Sequence, residues 1–329
     1  MGLCPYQACY PGDEPEVLAT LDDAGSGLLL AGDMIFAGRH LARVSKFGGP
    51  VQKLDRGSRG FGYPVRFGDD VVGTGGNLLV RTPLTGGEVV DLVPDGHPLA
   101  DYWAHLWFSV HDGHAFVEAL RYGSGGPGAV LRGDLVDGGA EVFFQKPTGT
   151  HGYGIFHGAG GLYVTPKVTA TDPTGLYLIG PEGPSRPRTI VELPTEWIIH
   201  GETSNRLILH AAAGLMAVTK TDRKISTLWL RDIGLEPYLA ALWAAGDRVV
   251  FAVHDPAHAG RVLVLRDSLD PSTLATALSP DPRWAGDVRA AQFDDTCVYA
   301  LIGATTEEAP SPSGTRPQTV LVKAPLVAN

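Results

Sequence analysis

The groups best placed by spacing to do chemistry are the imidazoles and carboxylates of "HDPAHAG" (His254, Asp255, His258) and "HDGH" (His111, Asp112, His114). Such groups can share a cation, but a working centre needs three or four ligands aimed by a rigid element. The first stretch offers at most three from a loop, and the second fills a turn position that recurs along the chain. No metal and no cofactor are therefore expected. For nucleophilic catalysis the chain lacks Gly-x-Ser-x-Gly; "GSGG" (Gly123 to Gly126) misses the first glycine of a nucleophile elbow and reads as a flexible turn. Cys297 lies in an apolar run beside Val298 and Tyr299, the surroundings of a buried small residue rather than of a reactive thiol. A looser set of His105, His151, Glu196 and His200 could supply the acid and base of a lyase or hydrolase.

Any such group must be positioned by β-structure. The chain has 329 residues with 43 Gly and 25 Pro, and its apolar residues fall in runs of five to eight broken by Gly, Asp, Asn and Pro, with almost no helical spacing. A net charge of −10 with scattered basic residues lacks the footprint of a nucleic-acid binder. No run approaches the roughly 18 apolar residues of a membrane span. The start "MGLCPYQACYPGDEPE" has neither the basic beginning nor the apolar core of a signal peptide. Cys4, Cys9 and Cys297 show no zinc spacing and no disulfide framework, so a cytoplasmic protein is expected. The alternative is a piece of an exported protein.

One unit recurs: an apolar strand, a tight polar turn, and a second apolar strand. Its turns lie in "AGDMIF" (31–36), "GDDVVG" (68–73), "HDGHAFV" (111–117), "AGGLYV" (159–164), "TSNRLIL" (203–209), "AGDRVVF" (245–251) and "DDTCVYA" (294–300). A spacing of roughly 37 to 48 residues is the period of propeller blades. Third strands such as "LLVRTPL" and "TVLVKAPL", and fourth strands such as "PVQKL" and "EVVDL", complete four-stranded antiparallel blades. The seventh blade lacks its fourth strand, while "PEVLATL" (15–21) stands unpartnered before the first. Pairing the two closes the ring and removes its open edges. The expected organisation is an N-terminal tail (1–14) and one all-β, seven-bladed propeller (15–326). Its blades begin near 27, 63, 104, 152, 196, 239 and 288, and a mobile, protease-accessible loop (303–318) interrupts the last.

"DDTCVYAL…VLVKAPL" and "LLVRTPLTGGEVVDL" resemble bacterial seven-bladed propeller repeat proteins with "DDxxVYW…RVPLxGG"-type blades. The resemblance implies a fold, and propellers host enzymes, lectins and scaffolds alike.

The loops leading into the first strand of each blade surround one channel mouth. They carry Phe61, Tyr63, Tyr102, Trp103, Tyr153, Trp197, Tyr238 and Trp284, accompanied by Arg59 and His151. Rings of this kind either wedge between blades or project outward as anchors for a partner protein. The leading expectation is a non-enzymatic interaction module, monomeric by itself, that holds a partner protein on this face. Two alternatives stay open: a lyase or hydrolase with a His/acid site at the channel mouth, and a carbohydrate-binding propeller. No nucleic acid or membrane partner is expected.

Overall fold

The computed structural model describes residues 8–326 except 22–26, 39, 55–60, 76–77, 94–95, 122–128, 146–152, 159, 167–174, 180–187, 194–196, 212–213, 231–238, 254–260, 268–269, 278–287 and 304–318. The expected mobile loop of the seventh blade thus lies, but for Gly303, outside the described residues.

Strand β1 (Glu16–Leu21) precedes the first blade. That blade is β2 (Leu28–Ala31), β3 (Met34–Ala37), β4 (Ala42–Ser45) and β5 (Gln52–Lys53). The second is β6 (Gly62–Phe67), β7 (Asp70–Gly75), β8 (Leu78–Pro83) and β9 (Val90–Asp91). The third is β10 (Tyr102–His111), β11 (His114–Arg121), β12 (Ala129–Asp134) and β13 (Ala140–Gln145). The fourth is β14 (Tyr153–Gly158), β15 (Gly161–Pro166), β16 (Gly175–Ile179) and β17 (Arg188–Glu192). The fifth is β18 (Ile198–Glu202), β19 (Arg206–Ala211), β20 (Gly214–Thr219) and β21 (Ile225–Leu230). The sixth is β22 (Leu239–Ala245), β23 (Arg248–Val253), β24 (Arg261–Asp267) and β25 (Asp270–Ala277). The seventh joins β26 (Val288–Phe293), β27 (Cys297–Gly303) and β28 (Thr319–Pro325) to β1.

The result is a seven-bladed propeller, all-β and with no helix among the described residues. The first strands of successive blades touch in a closed cycle, β26 meeting β2, so these strands line the axis. Each begins at the junction with the preceding blade and ends in a hairpin, which gives the ring a junction face and a hairpin face.

Alternation explains why the blades stack. All seven residues of β28 are buried, because the strand is covered on both sides. Val320, Val322 and Ala324 pack with Val250 and Ala252 of the sixth blade. Leu321 turns the other way, toward Ile35 and Val44 of the first. A period of two thus feeds two cores from one strand.

Closure is by the N-terminal strand, as its pattern implies. β1 pairs antiparallel with β28 from Glu16 opposite Lys323 to Leu21 opposite Thr319. It delivers Leu18, Ala19 and Leu21 to the core shared with the first blade. Each buried leucine contributes about 1.5–3 kcal/mol.

The cysteine reading needs correction. Cys9 is disulfide-bonded to Cys297, with their Cα atoms 5.3 Å apart across a sequence separation of 288. Spacing along the tail hides this pairing because only ring closure brings the two together. Cys297 is fully buried at the start of β27, so its burial was legible and its partner was not. Among the described residues, no helix is long and apolar enough to cross a membrane.

Reducing this bridge frees a very long loop in the unfolded chain, which costs roughly 2–5 kcal/mol of stability. Urea unfolding should show a lower midpoint for wild type in reductant and for Cys9→Ser in its absence. Reductant should not lower the midpoint of Cys9→Ser further.

Candidate active site

Strand edges that face the axis leave backbone N–H groups with no strand beside them, and the neighbouring blades supply acceptors. His157 N donates to Ser109 Oγ of the third blade (3.1 Å), and Ile199 N to Thr165 Oγ1 of the fourth (3.1 Å). The first bond ties β14 to β10, and the second ties β18 to β15. Five of the first strands also carry register shifts against their hairpin partners, in β6, β10, β18, β22 and β26. Such bulges re-aim side chains and gather near functional sites.

In β18 the bulged residue is His200, between Ile199 and Gly201. Its ring lies 5.1 Å from that of His210, tilted by 57°. Burial pushes the His200 imidazole down to about 3, and the charge of His210 adds to this. Burial alone pushes His210 down to about 4. Both rings are therefore neutral across the physiological range.

A second and more open group of polar side chains gathers where β10, β14 and β18 reach the hairpin face. The rings of His111 and His157 stack 3.5 Å apart at 11°. His111 is exposed and His157 partly buried, with Phe116 on its flank at 5.7 Å. His157 Nδ1 lies 3.1 Å from the carbonyl oxygen of Gly158. A carbonyl only accepts, so Nδ1 carries the proton and Nε2 keeps its lone pair. Burial first, and the charge of His111 second, hold His157 down to about 4; the Gly158 carbonyl, Glu202 and Asp112 pull the other way.

Beside this pair stands Glu202, the last residue of β18. Its Oε2 is 2.7 Å from Lys220 Nζ, which also donates to the Thr203 carbonyl at 2.8 Å. The two strands approach here so closely that a Cβ on Gly158 would sit 2.7 Å from Glu202 Oε2. Only glycine admits the carboxylate beside β14. Burial and the Glu202 charge raise the Tyr163 phenol, against the pull of Arg188, so it stays protonated. The group thus holds an unprotonated imidazole nitrogen, an exposed imidazole, a carboxylate and an ammonium.

Of the acid–base set expected from sequence, His200 lies in β18 and His105 in β10, where the side chain of His105 is outside the described residues. His151 and Glu196 are outside them altogether, as are His254, Asp255 and His258. Sequence reasoning passed over His157, Glu202, Lys220 and His210, and took His111 as a turn residue. A usable signal existed: His111, His157 and Glu202 follow one another at about one blade period, in the same column of the repeat.

The aromatic junction residues divide. Phe61, Tyr102 and Trp197 are buried at 2%, 8% and 7% exposure, which makes them packing between blades rather than outward anchors. Trp197 packs with Tyr163, Leu193 and Ile199. Trp103 is partly buried. Tyr63 is 42% exposed with φ of 46°, a strained backbone for a bulky residue. The side chain of Tyr153 lies outside the described residues, and so do Arg59, Tyr238 and Trp284.

No family model matches the chain. No curated protein matches it. Among solved structures it is similar to an oligogalacturonate lyase in complex with manganese, at 13% identity and a TM-score of 0.60, over 87% of this chain and 82% of that one. It is also similar to a puromycin hydrolase mutant, at 12% identity and a TM-score of 0.60, over 84% of this chain and 50% of that one. A third likeness is to the extracellular domain of a one-component system protein from B. thetaiotaomicron, at 11% identity and a TM-score of 0.56, over 96% of this chain and 39% of that one. At these identities the likeness establishes the fold. It overturns the leading expectation of a non-enzymatic interaction module, and with it the expectation that the chain is no enzyme. The propellers it resembles include a lyase and a hydrolase.

The depressed histidines have a consequence for stability. Between the range of a free histidine and about pH 4, the unfolded chain binds protons that folded His157, His200 and His210 refuse. Stability therefore rises with pH in this window, and the urea midpoint should fall on going from about pH 7 to about pH 5. A His200→Gln, His210→Gln double variant should show a flatter pH dependence than wild type.

Proposed function

We propose that the chain is an acid–base enzyme of the lyase or hydrolase class, whose reacting groups sit at the hairpin-face end of the axis. The observation that carries this is His157, whose Nδ1 donates to the Gly158 carbonyl and so leaves Nε2 unprotonated, in electrostatic reach of the Glu202 carboxylate that pairs with Lys220. Both reactions begin with removal of a proton, from carbon in an elimination or from water in a hydrolysis, and His157 Nε2 takes it. The Lys220 ammonium stabilises the negative charge that develops on the substrate, in a partly water-excluded setting where such interactions count for more. Glu202 holds Lys220 in place. The exposed imidazole of His111 returns a proton to the leaving group.

The same reading adopts the exported alternative for location. A bridge such as Cys9–Cys297 persists in oxidising compartments and is rare in a reducing cytoplasm.

The test is turnover by the purified full chain on a panel of aryl esters, aryl glycosides and uronate-containing oligosaccharides. Release of chromophore marks hydrolysis, and ultraviolet absorbance of a new conjugated double bond marks elimination. His157→Ala should reduce turnover by on the order of 100-fold or more, as loss of a general base does, and Glu202→Gln should reduce it as well by releasing Lys220 from its place. Their urea midpoints should stay near that of wild type. Turnover that survives both substitutions would remove these residues from the chemistry.

A further inference from the structure

The segment before β1 folds on itself and reaches the ring through one residue. Asp13 N donates to the Tyr10 carbonyl and Tyr10 N to Asp13 Oδ2, closing a turn with Gly12 at φ of 97°. Cys9 supplies the attachment: its N–H donates to Thr296 Oγ1 at 3.3 Å and its sulfur is bridged to Cys297. β1 holds its own place through the ladder to β28 and the burial of Leu18, Ala19 and Leu21.

The two sulfurs of the bridge differ in access. Cys297 is fully buried, packed with Leu18, Leu21 and Tyr299 in the core shared by the seventh and first blades. Cys9 is half-buried and lines an open cavity of about 350 Å³ between the N-terminal segment and the end of β28. That volume lies in the range of small-molecule sites. Thiol–disulfide exchange proceeds by attack of a thiolate on one sulfur, and access decides which sulfur is taken. Access here favours Cys9. Charge then selects among thiols. Asp13, Glu14 and Glu16 line the cavity against a single lysine, Lys323, which lies opposite Glu16 in register. Three carboxylates to one ammonium make an entrance that concentrates cations and repels anions.

We infer that Cys9 is a thiolation site, at which a small cationic thiol, an aminothiol, exchanges into the bridge. Its thiolate attacks Cys9 Sγ, the Cys9–Cys297 bond breaks, and the electron pair leaves on Cys297 Sγ. The proton that the aminothiol gave up to solvent returns to Cys297. One thiol is consumed and one is formed, so the step needs no further oxidant or reductant. The products are a mixed disulfide on Cys9 and a thiol on Cys297. With the bridge open, residues 8–14 leave the seam and take one wall of the cavity with them, while the β1–β28 ladder keeps the ring closed. The site therefore exists in the bridged state and is dismantled by its own reaction. It is independent of the acid–base group at the hairpin face.

The experiment uses the full chain carrying Cys4→Ser, which removes the cysteine outside the bridge. Cysteamine, 2-mercaptoethanol and 2-mercaptoethanesulfonate are added at equal thiolate concentration, early time points are stopped in acid, free thiols are alkylated, and the peptides are mapped by mass. The adduct should fall on Cys9 and the alkyl group on Cys297, by on the order of tenfold over the reverse. Cysteamine should react about tenfold faster than the sulfonate at low ionic strength, with mercaptoethanol between them. The gap should narrow in roughly 1 M salt and in a Glu14→Gln, Glu16→Gln variant. Hydrogen exchange of the cysteamine adduct should rise over residues 8–14 and stay unchanged in β1. An adduct on Cys297, reaction that requires urea above the unfolding midpoint, or equal rates for the three thiols overturns the inference. So does an adduct in which exchange rises equally along the whole chain or not at all over residues 8–14.

Discussion

Everything in this molecule depends on the ladder between β1 and β28. A propeller blade has two apolar faces, and each can be buried only by a neighbour, so a ring short of one strand leaves a blade half covered and an edge open. Supplying that strand from the opposite end of the chain makes the first and last segments neighbours and gives every blade two partners. The closed geometry then permits a polar tie at each of the seven seams. Arg43 reaches the Leu84 carbonyl and Arg81 that of Leu135, the same third-strand residue crossing to the same position of the next blade. The ring continues through His157 N to Ser109, Ile199 N to Thr165, and Ser204 N to the Gly246 carbonyl. It is completed by Arg248 to the Asp295 carbonyl and Lys46 to Asp294.

These seams explain why the reactive groups sit where they do. At the axis, first strands from adjacent blades run side by side, so a residue near the end of one faces its counterparts in the next. His111, His157 and Glu202 come from different blades, yet their separation is fixed by interblade contacts rather than by flexible loops. Partial burial then sets their protonation. A histidine enclosed this way is kept neutral, and a carboxylate is tolerated because an ammonium lies against it.

How much of this was legible follows from what repeats. Alternation and turn chemistry are local, so strands, blades and the split seventh blade could be read directly; "PEVLATL" matched other fourth strands and took that place. The disulfide was not legible, because Cys9 and Cys297 meet only through closure. The His/Glu group was half visible: its members share a repeat column, but only the structure shows that His157 leans toward the third blade and that Gly158 lets Glu202 in. The aromatic junction residues misled for the opposite reason. Their position at the channel mouth was legible, whereas burial of Phe61, Tyr102 and Trp197 depends on neighbouring blades that no local pattern specifies.

The bridge from Cys9 to Cys297 turns nearly the whole chain into a covalent circle. A single peptide-bond cut anywhere inside that circle converts it to an open chain without splitting it in two, so one nick by a protease leaves the blades in a single molecule. Tension between a point before Cys9 and a point after Cys297 passes through the sulfur atoms, and the six propeller blades between them carry none of it. The circle also means that the position of the chain ends is almost arbitrary with respect to the blades, so the same ring could begin and end at another seam and keep its architecture.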